Sequence, residues 1–124
     1  MKESFQKLYN DLKLSRAKCP WSSEQTLVKH IPELKKEILE VEEAIKNNDP
    51  INLKEELGDV FMDAFFLMVI AEEQGIMPKE VIQNVNEKLV RRKPWVFGDL
   101  KIKDKEEAIK VWNQIKQKEK EHKK

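Results

Sequence analysis

A chain of 124 residues, 40% hydrophobic and 38% charged, carries enough apolar material for one core, so a single domain over residues 1–124 is expected. Only three glycines are present, which suits amphipathic helices better than a turn-rich sheet and makes the expected class all-α. The 24 basic and 23 acidic residues leave a formal charge of +1, which excludes a global field for attracting nucleic acid or an anionic membrane.

Phe5, Leu8, Tyr9 and Leu12 recur at helical spacing and predict a first amphipathic helix of about four turns, packed as an outer element. Residues 15–23 break that period around Cys19-Pro20-Trp21, after which Ser22 and Ser23 offer N-cap oxygens to a second helix. Pro32 falls inside the next helical pattern, so either a helix begins there or a longer one kinks. Leu34, Ile38, Val41 and Ile45 then form one apolar stripe. Residues 47–50 read as a turn, and its shortness predicts a central antiparallel helical hairpin within a bundle of about five helices. The second arm, about residues 53–73, is apolar on every side between Val60 and Ala71 except at Asp63. Such a helix is central or meets a partner chain. Its apolar run is well short of the ~20 residues that span a bilayer.

Gly75 suits a C-terminal cap, and Pro78 suits the first turn of a helix bearing Val81, Ile82, Val85 and Leu89 and ending in Arg91-Arg92-Lys93. Asp104 with Glu107 resembles a capping box for a last helix carrying Ala108, Val111, Trp112 and Ile115. The lysine-rich residues 116–124 are expected to fray as a solvated terminus. Cys19 is the only cysteine and cannot form an intrachain disulfide, and the first twenty residues lack a secretory apolar run. A cytoplasmic location is expected, with Cys19 a small buried residue rather than a nucleophile.

The candidate chemistry lies in two carboxylate pairs. Glu37 and Glu40 stand three apart on one arm of the hairpin, and Glu56 and Asp59 stand three apart on the other. Residues at i and i+3 share a helix face, with Cβ atoms about 5–6 Å apart, and antiparallel packing can bring the pairs together. Four converging carboxylates cannot all stay ionised near neutrality without cations between them. Hard oxygen ligands of this kind suit Mg²⁺, for which Mn²⁺ can substitute. In the plainer reading, Lys36 pairs with Glu40 at i,i+4 and the second pair lies near a solvated helix start. Asp63, one turn after Asp59 and on the sector of Glu56, either orients a metal-bound water or a basic side chain from behind, or pairs at a subunit interface. His30 does not stand three residues after a glutamate as a di-iron bundle requires. With His122 it is expected to be a surface or partly packed histidine.

In chain order, Cys19-Pro20-Trp21, Glu24-Gln25-Thr26, Glu37 with Glu40, Glu56-Leu57-Gly58-Asp59, Asn86-Glu87-Lys88-Leu89, Arg91-Arg92, Val96-Phe97-Gly98 and Trp112 with Ile115-Lys116 resemble the MazG family of nucleoside triphosphate pyrophosphohydrolases. The resemblance spans residues 17–120. It implies an α-helical, oligomeric fold, most simply a homodimer, that uses Mg²⁺ to cleave between the α- and β-phosphates. The metal ligands carry over as Glu37, Glu40, Glu56 and Asp59, and Lys88 and Arg92 as phosphate-binding cations. Of the tryptophans able to stack on a base, Trp21, Trp95 and Trp112, the resemblance favours Trp112. Lys36 replaces the first acid of the family's EExxE, Ser22 follows CPW where Asp is common, and Lys93 and Trp95 replace the histidines of HPHVFG.

The expected reaction is hydrolysis of a nucleoside triphosphate to monophosphate and pyrophosphate, water attacking the α-phosphorus. Glu37, with Glu40 next, is the expected proton acceptor. A dUTP- or dCTP-type hydrolase or a phosphoribosyl-ATP pyrophosphatase shares the same metal set, and a non-catalytic helical regulatory module is the alternative of a different class. The all-round apolar arm also implies an obligate oligomer, in which a charge at Phe65 or Phe66 breaks the assembly or the fold.

Overall fold

In a computed structural model, the described residues, 1–123, form seven α-helices and no strand. These are α1 (Lys2–Lys18), α2 (Pro20–Glu24), α3 (Leu27–Lys46), α4 (Pro50–Glu72), α5 (Pro78–Arg92), α6 (Pro94–Phe97) and α7 (Lys105–His122). The two beyond the expected five are the short helices α2 and α6, each opened by a proline whose fixed φ suits a first turn. The chain falls into two compact units, one of residues 1–78 and one from Lys79 onward. Among the described residues, no helix is long and apolar enough to cross a membrane.

Local chemistry sets the boundaries. Ser22 and Ser23 do not cap α3; they lie inside α2, and Thr26 takes the role, its Oγ1 accepting the Lys29 N–H at 3.1 Å. Pro32 neither starts nor ends a helix. It sits within α3, where the Val28 carbonyl loses its usual donor on a turn whose Val28 is 81% exposed, so water can replace the bond. Asp49 caps α4 by accepting the Asn52 N–H at 3.1 Å, and Pro50 fills its first position, so this helix begins three residues before the expected Leu53. Asn48 at φ 51° makes the turn between α3 and α4. Gly75, at φ 89°, occupies a left-handed position after α4 that a side chain would strain.

In the first unit, α3 and α4 pack closely together and α1 lies against α4. The core is the second half of α4: Phe65, Phe66, Val69 and Ile70, covered by Leu8, Tyr9 and Leu12 of α1 and Leu27 of α3. Phe5, Phe61, Phe65 and Tyr9 continue it as an aromatic row with centroids 5.1–5.9 Å apart. Polar anchors fix α1 in place. The Tyr9 hydroxyl donates to the Glu72 carboxylate at 2.6 Å, and Arg16 donates to Glu73 at 2.9 Å and to the carbonyls of Ser22 and Gln25 at 2.6 and 2.7 Å. Phe65 and Phe66 therefore face the chain's own core, and the large apolar side chains left exposed on α4 are Ile51, Leu57, Phe61 and Met62.

In the second unit, Asp104 accepts the Glu107 N–H at 2.9 Å and caps α7, while the Glu107 carboxylate accepts the Lys103 N–H at 3.1 Å. α7 runs to His122, past the Lys116 where fraying is expected. Its Glu119 accepts from Arg91 at 2.7 Å and from Arg92 at 2.8 Å, which ties the end of α5 to the last turns of α7.

Candidate metal site

Glu37, Glu56 and Asp59 converge, each offering one oxygen within 4.8 Å of the others. Helical spacing is the cause: Glu56 and Asp59 share a face of α4, and α3 carries Glu37 against it. Glu40 lies outside this triad, but its carboxyl acts on the ionisation of both Glu37 and Glu56. The electrostatics follow from crowding. Glu37 is pushed up to about 7, first by burial and then by hydrogen bonds to Glu56 and Glu40 and the charges of Glu40 and Asp59. Glu56 is also raised, chiefly by its hydrogen bond to Glu40, whereas Glu40 is lowered because it accepts from both neighbours. Glu40 is thus the anionic hub, and Glu37 is the group that keeps a proton toward neutrality.

Two oxygens, Glu37 Oε2 and Glu56 Oε2, are buried with no protein partner. A buried carboxylate oxygen without a donor is costly, and an all-oxygen set of acids offers hard ligands, so these residues fit a divalent cation. A cavity of about 530 Å³ lined by Lys13, Arg16, Glu72 and Glu73 lies on the α1 side, but its charged groups are already paired with one another and with Tyr9.

His30 departs from expectation. It is 1% exposed, the most completely buried large side chain, and it lies 3.2 Å through Nε2 from Asp63 Oδ1, between the rings of Trp21 and Phe66. Asp63 accordingly meets a basic side chain within its own chain. The signal was in the spacing: His30 stands on the apolar stripe between Leu27 and Leu34, Asp63 interrupts the apolar run of α4, and buried polar groups find partners. Cys19 is half-buried, its sulfur accepting the Ser22 N–H at 3.5 Å, which helps to lower its thiol pKa.

In the second unit Lys88 is exposed on α5. Arg92 is buried, bound to Glu119, with its guanidinium 5.2 Å from the centre of the Trp112 ring. The two guanidinium groups hold the Glu119 carboxyl down to about 2. The spacing alone does not reveal this clamp, although Trp112, Ile115 and Glu119 share one face of α7 at i, i+3 and i+7.

The profile of the MazG nucleotide pyrophosphohydrolase domain matches residues 25–97, a stretch that contains all four expected metal ligands. The chain belongs to the MazG nucleotide pyrophosphohydrolase family. This is a family of hydrolases. Among its relatives, the nucleoside triphosphate pyrophosphohydrolase/pyrophosphatase MazG of Thermotoga maritima is 41% identical over 107 residues, covering 86% of this chain and 40% of the relative. The nucleoside triphosphate pyrophosphohydrolase of Escherichia coli K12 is 35% identical over 106 residues, covering 85% and 40%. The protein YabN of Bacillus subtilis is 37% identical over 103 residues, covering 82% and 21%. This chain therefore spans less than half the length of each. The crystal structure of a MazG-related protein from Thermotoga maritima superposes with a TM-score of 0.81 at 41% identity, over 90% of this chain and 98% of the other. A MazG fold thus accounts for the all-helical architecture.

Proposed function

We propose that this chain hydrolyses nucleoside triphosphates to nucleoside monophosphate and pyrophosphate, with Mg²⁺ held by Glu37, Glu40, Glu56 and Asp59, and that it does so in the cytoplasm. The observation that carries the reading is the convergence of Glu37, Glu56 and Asp59, with two buried oxygens lacking partners, on a MazG fold. When bound, the ion supplies charge neutralisation for the triphosphate and Lewis-acid activation. Glu37 is the group that takes the proton from water, and Glu40 is the second choice. The water oxygen bonds to the α-phosphorus, the bond from that phosphorus to the α–β bridging oxygen breaks, and pyrophosphate leaves. The same proposal keeps Lys88 and Arg92 as the phosphate-binding cations and Trp112 as the base-stacking ring, which for Arg92 requires release from Glu119.

In this reading α3 and α4 form an antiparallel hairpin and the chain is a homo-oligomer, most simply a dimer. The exposed Leu57, Phe61 and Met62 support the second point, since contiguous apolar side chains on one helix favour a covering partner. The decisive experiment measures pyrophosphate release from a panel of NTPs and dNTPs with and without Mg²⁺. Release that requires Mg²⁺ is expected, and no release from any of them would overturn the proposal.

A further inference from the structure

The buried His30–Asp63 pair takes no part in the chemistry proposed above, yet its place in the fold is specific. His30 precedes Glu37 by seven residues on α3, and Asp63 follows Glu56 by seven on α4. Seven residues make two helical turns and return to almost the same angular sector, roughly 10 Å along the axis. The two cross-helix contacts, His30 with Asp63 and Glu37 with Glu56, therefore run in opposite senses along the two helices. They form successive rungs of one seam.

The protonation of the pair follows from what each atom meets. Nδ1 of His30 is buried without a partner. An imidazolium, or an imidazole accepting from a protonated Asp63, would leave an N–H there with no acceptor. A neutral imidazole carrying its proton on Nε2 leaves only a lone pair, so His30 donates to an ionised Asp63 Oδ1. Burial raises the Asp63 carboxyl above its ordinary value, the hydrogen bond from His30 works against that by favouring the ionised form, and the charges of Glu33 and Asp59 add to the rise. A neutral donor facing a buried carboxylate between Trp21 and Phe66 is costly compared with two apolar side chains of similar volume. Its benefit is direction, because a hydrogen bond fixes one register of α3 against α4 where aliphatic packing tolerates sliding.

The geometry points to His30 and Asp63 as positioning residues for the metal site: their hydrogen bond locks the helix register that sets Glu37 opposite Glu56 and Asp59. The inference rests on the metal-site reading given above. It requires the pair to affect cation affinity in a folded protein without touching the cation.

The test is a titration of Mn²⁺ into the full chain, followed by electron paramagnetic resonance without nucleotide. His30→Leu removes the donor and Asp63→Leu the acceptor, each at similar volume, whereas His30→Gln keeps an N–H near the Nε2 position and Asp63→Asn keeps an acceptor oxygen. Val69→Ala is a control that loses core packing without touching the seam. Outer partners of metal ligands typically affect affinity 10–100-fold, so His30→Leu and Asp63→Leu should each weaken Mn²⁺ binding by about tenfold or more. On the same scale, His30→Gln, Asp63→Asn and Val69→Ala should stay within about twofold of the parent. The double variant His30→Leu/Asp63→Leu should match the single variants rather than sum them. If His30→Leu does not fold, Asp63→Leu carries the test. Unchanged affinity in folded His30→Leu or Asp63→Leu would overturn the inference and leave the metal site standing. Equal weakening by Val69→Ala would also overturn it, by assigning the effect to stability alone. A parent chain that binds no Mn²⁺ would overturn the metal site and this inference together.

Discussion

The carboxylate cluster makes cation binding a proton-release reaction with a calculable pH dependence. A cation needs Glu37 ionised, and that carboxyl sits near pH 7 in the folded chain. With a value of about 7, about one chain in eleven has it ionised at pH 6 and about ten in eleven at pH 8, so affinity should differ about tenfold across that interval. Glu56, also raised, can only steepen the trend. Mn²⁺ titrations of the parent chain at pH 6, 7 and 8 measure it directly. In Glu37→Gln, affinity should be weaker throughout and its dependence on pH shallower. The stability of the metal-free protein should move the opposite way. A carboxyl whose folded value is raised stabilises the fold fully below the ordinary glutamate value, and that contribution is lost as pH rises through about 7. Without metal the melting temperature should thus fall between about pH 5 and pH 7 and level off toward pH 8, and Mg²⁺ should raise it most at pH 8. Affinity that stays constant from pH 6 to 8 would refute the assignment of Glu37 as the proton-holding ligand.

Glu40→Gln, Glu56→Gln and Asp59→Asn should each lower Mg²⁺-dependent pyrophosphate release by about 100-fold or more while circular dichroism stays helical; near-parental turnover in two of them would count decisively against the site. Phe65→Ala or Phe66→Ala should cost about 3–5 kcal/mol of stability in urea denaturation, since both rings are fully packed. Met62→Asp should instead halve the light-scattering mass at low micromolar concentration and leave the helices intact, and a parent chain that is already an active monomer would remove the case for an obligate dimer. Lys88→Ala and Arg92→Ala should lower kcat/KM without loss of Mn²⁺ binding. Glu119→Gln separates the roles of Arg92: a lower nucleotide KM is expected if its guanidinium binds phosphate, and an unchanged KM would assign it to the clamp alone.

What was legible in the sequence follows from which forces are periodic. The helical spacing of Phe5, Leu8, Tyr9 and Leu12 placed α1 against the core, and the Asp104 cap, Gly75 and Pro78 marked ends because each acts through its own backbone or nearest neighbours. The carboxylates were legible because three-residue spacing on adjoining helices constrains faces directly. The rest depended on events that periodicity does not encode. α2 and α6 are too short to show a period, and Pro20 took Ser22 and Ser23 into a helix where they no longer cap the next one. The spacing marks His30, Asp63 and Glu119 as polar groups on packed faces but does not name their partners. Those lie 33 residues away in one case and 27–28 in the other, so only packing pairs them.

The division of labour along α4 explains how the fold tolerates its own acidic seam. The first half of the helix carries Glu56 and Asp59 against Glu37, an arrangement that repels itself whenever the acids ionise. The second half buries Phe65, Phe66, Val69 and Ile70, each worth about 1.5–3 kcal/mol on transfer from water. One continuous helix joins them, so packing at one end holds the other in a conformation that its charges disfavour. Asp63 stands at the junction, and His30 is its partner there. A cation would relieve the repulsion where it arises, and the core would then hold more stability than the apo seam requires. Sites that need mutually repelling ligands are stable only when such a surplus exists nearby. On the proposed metal-site reading, cation affinity should therefore follow the α3–α4 register rather than the stability of the chain as a whole.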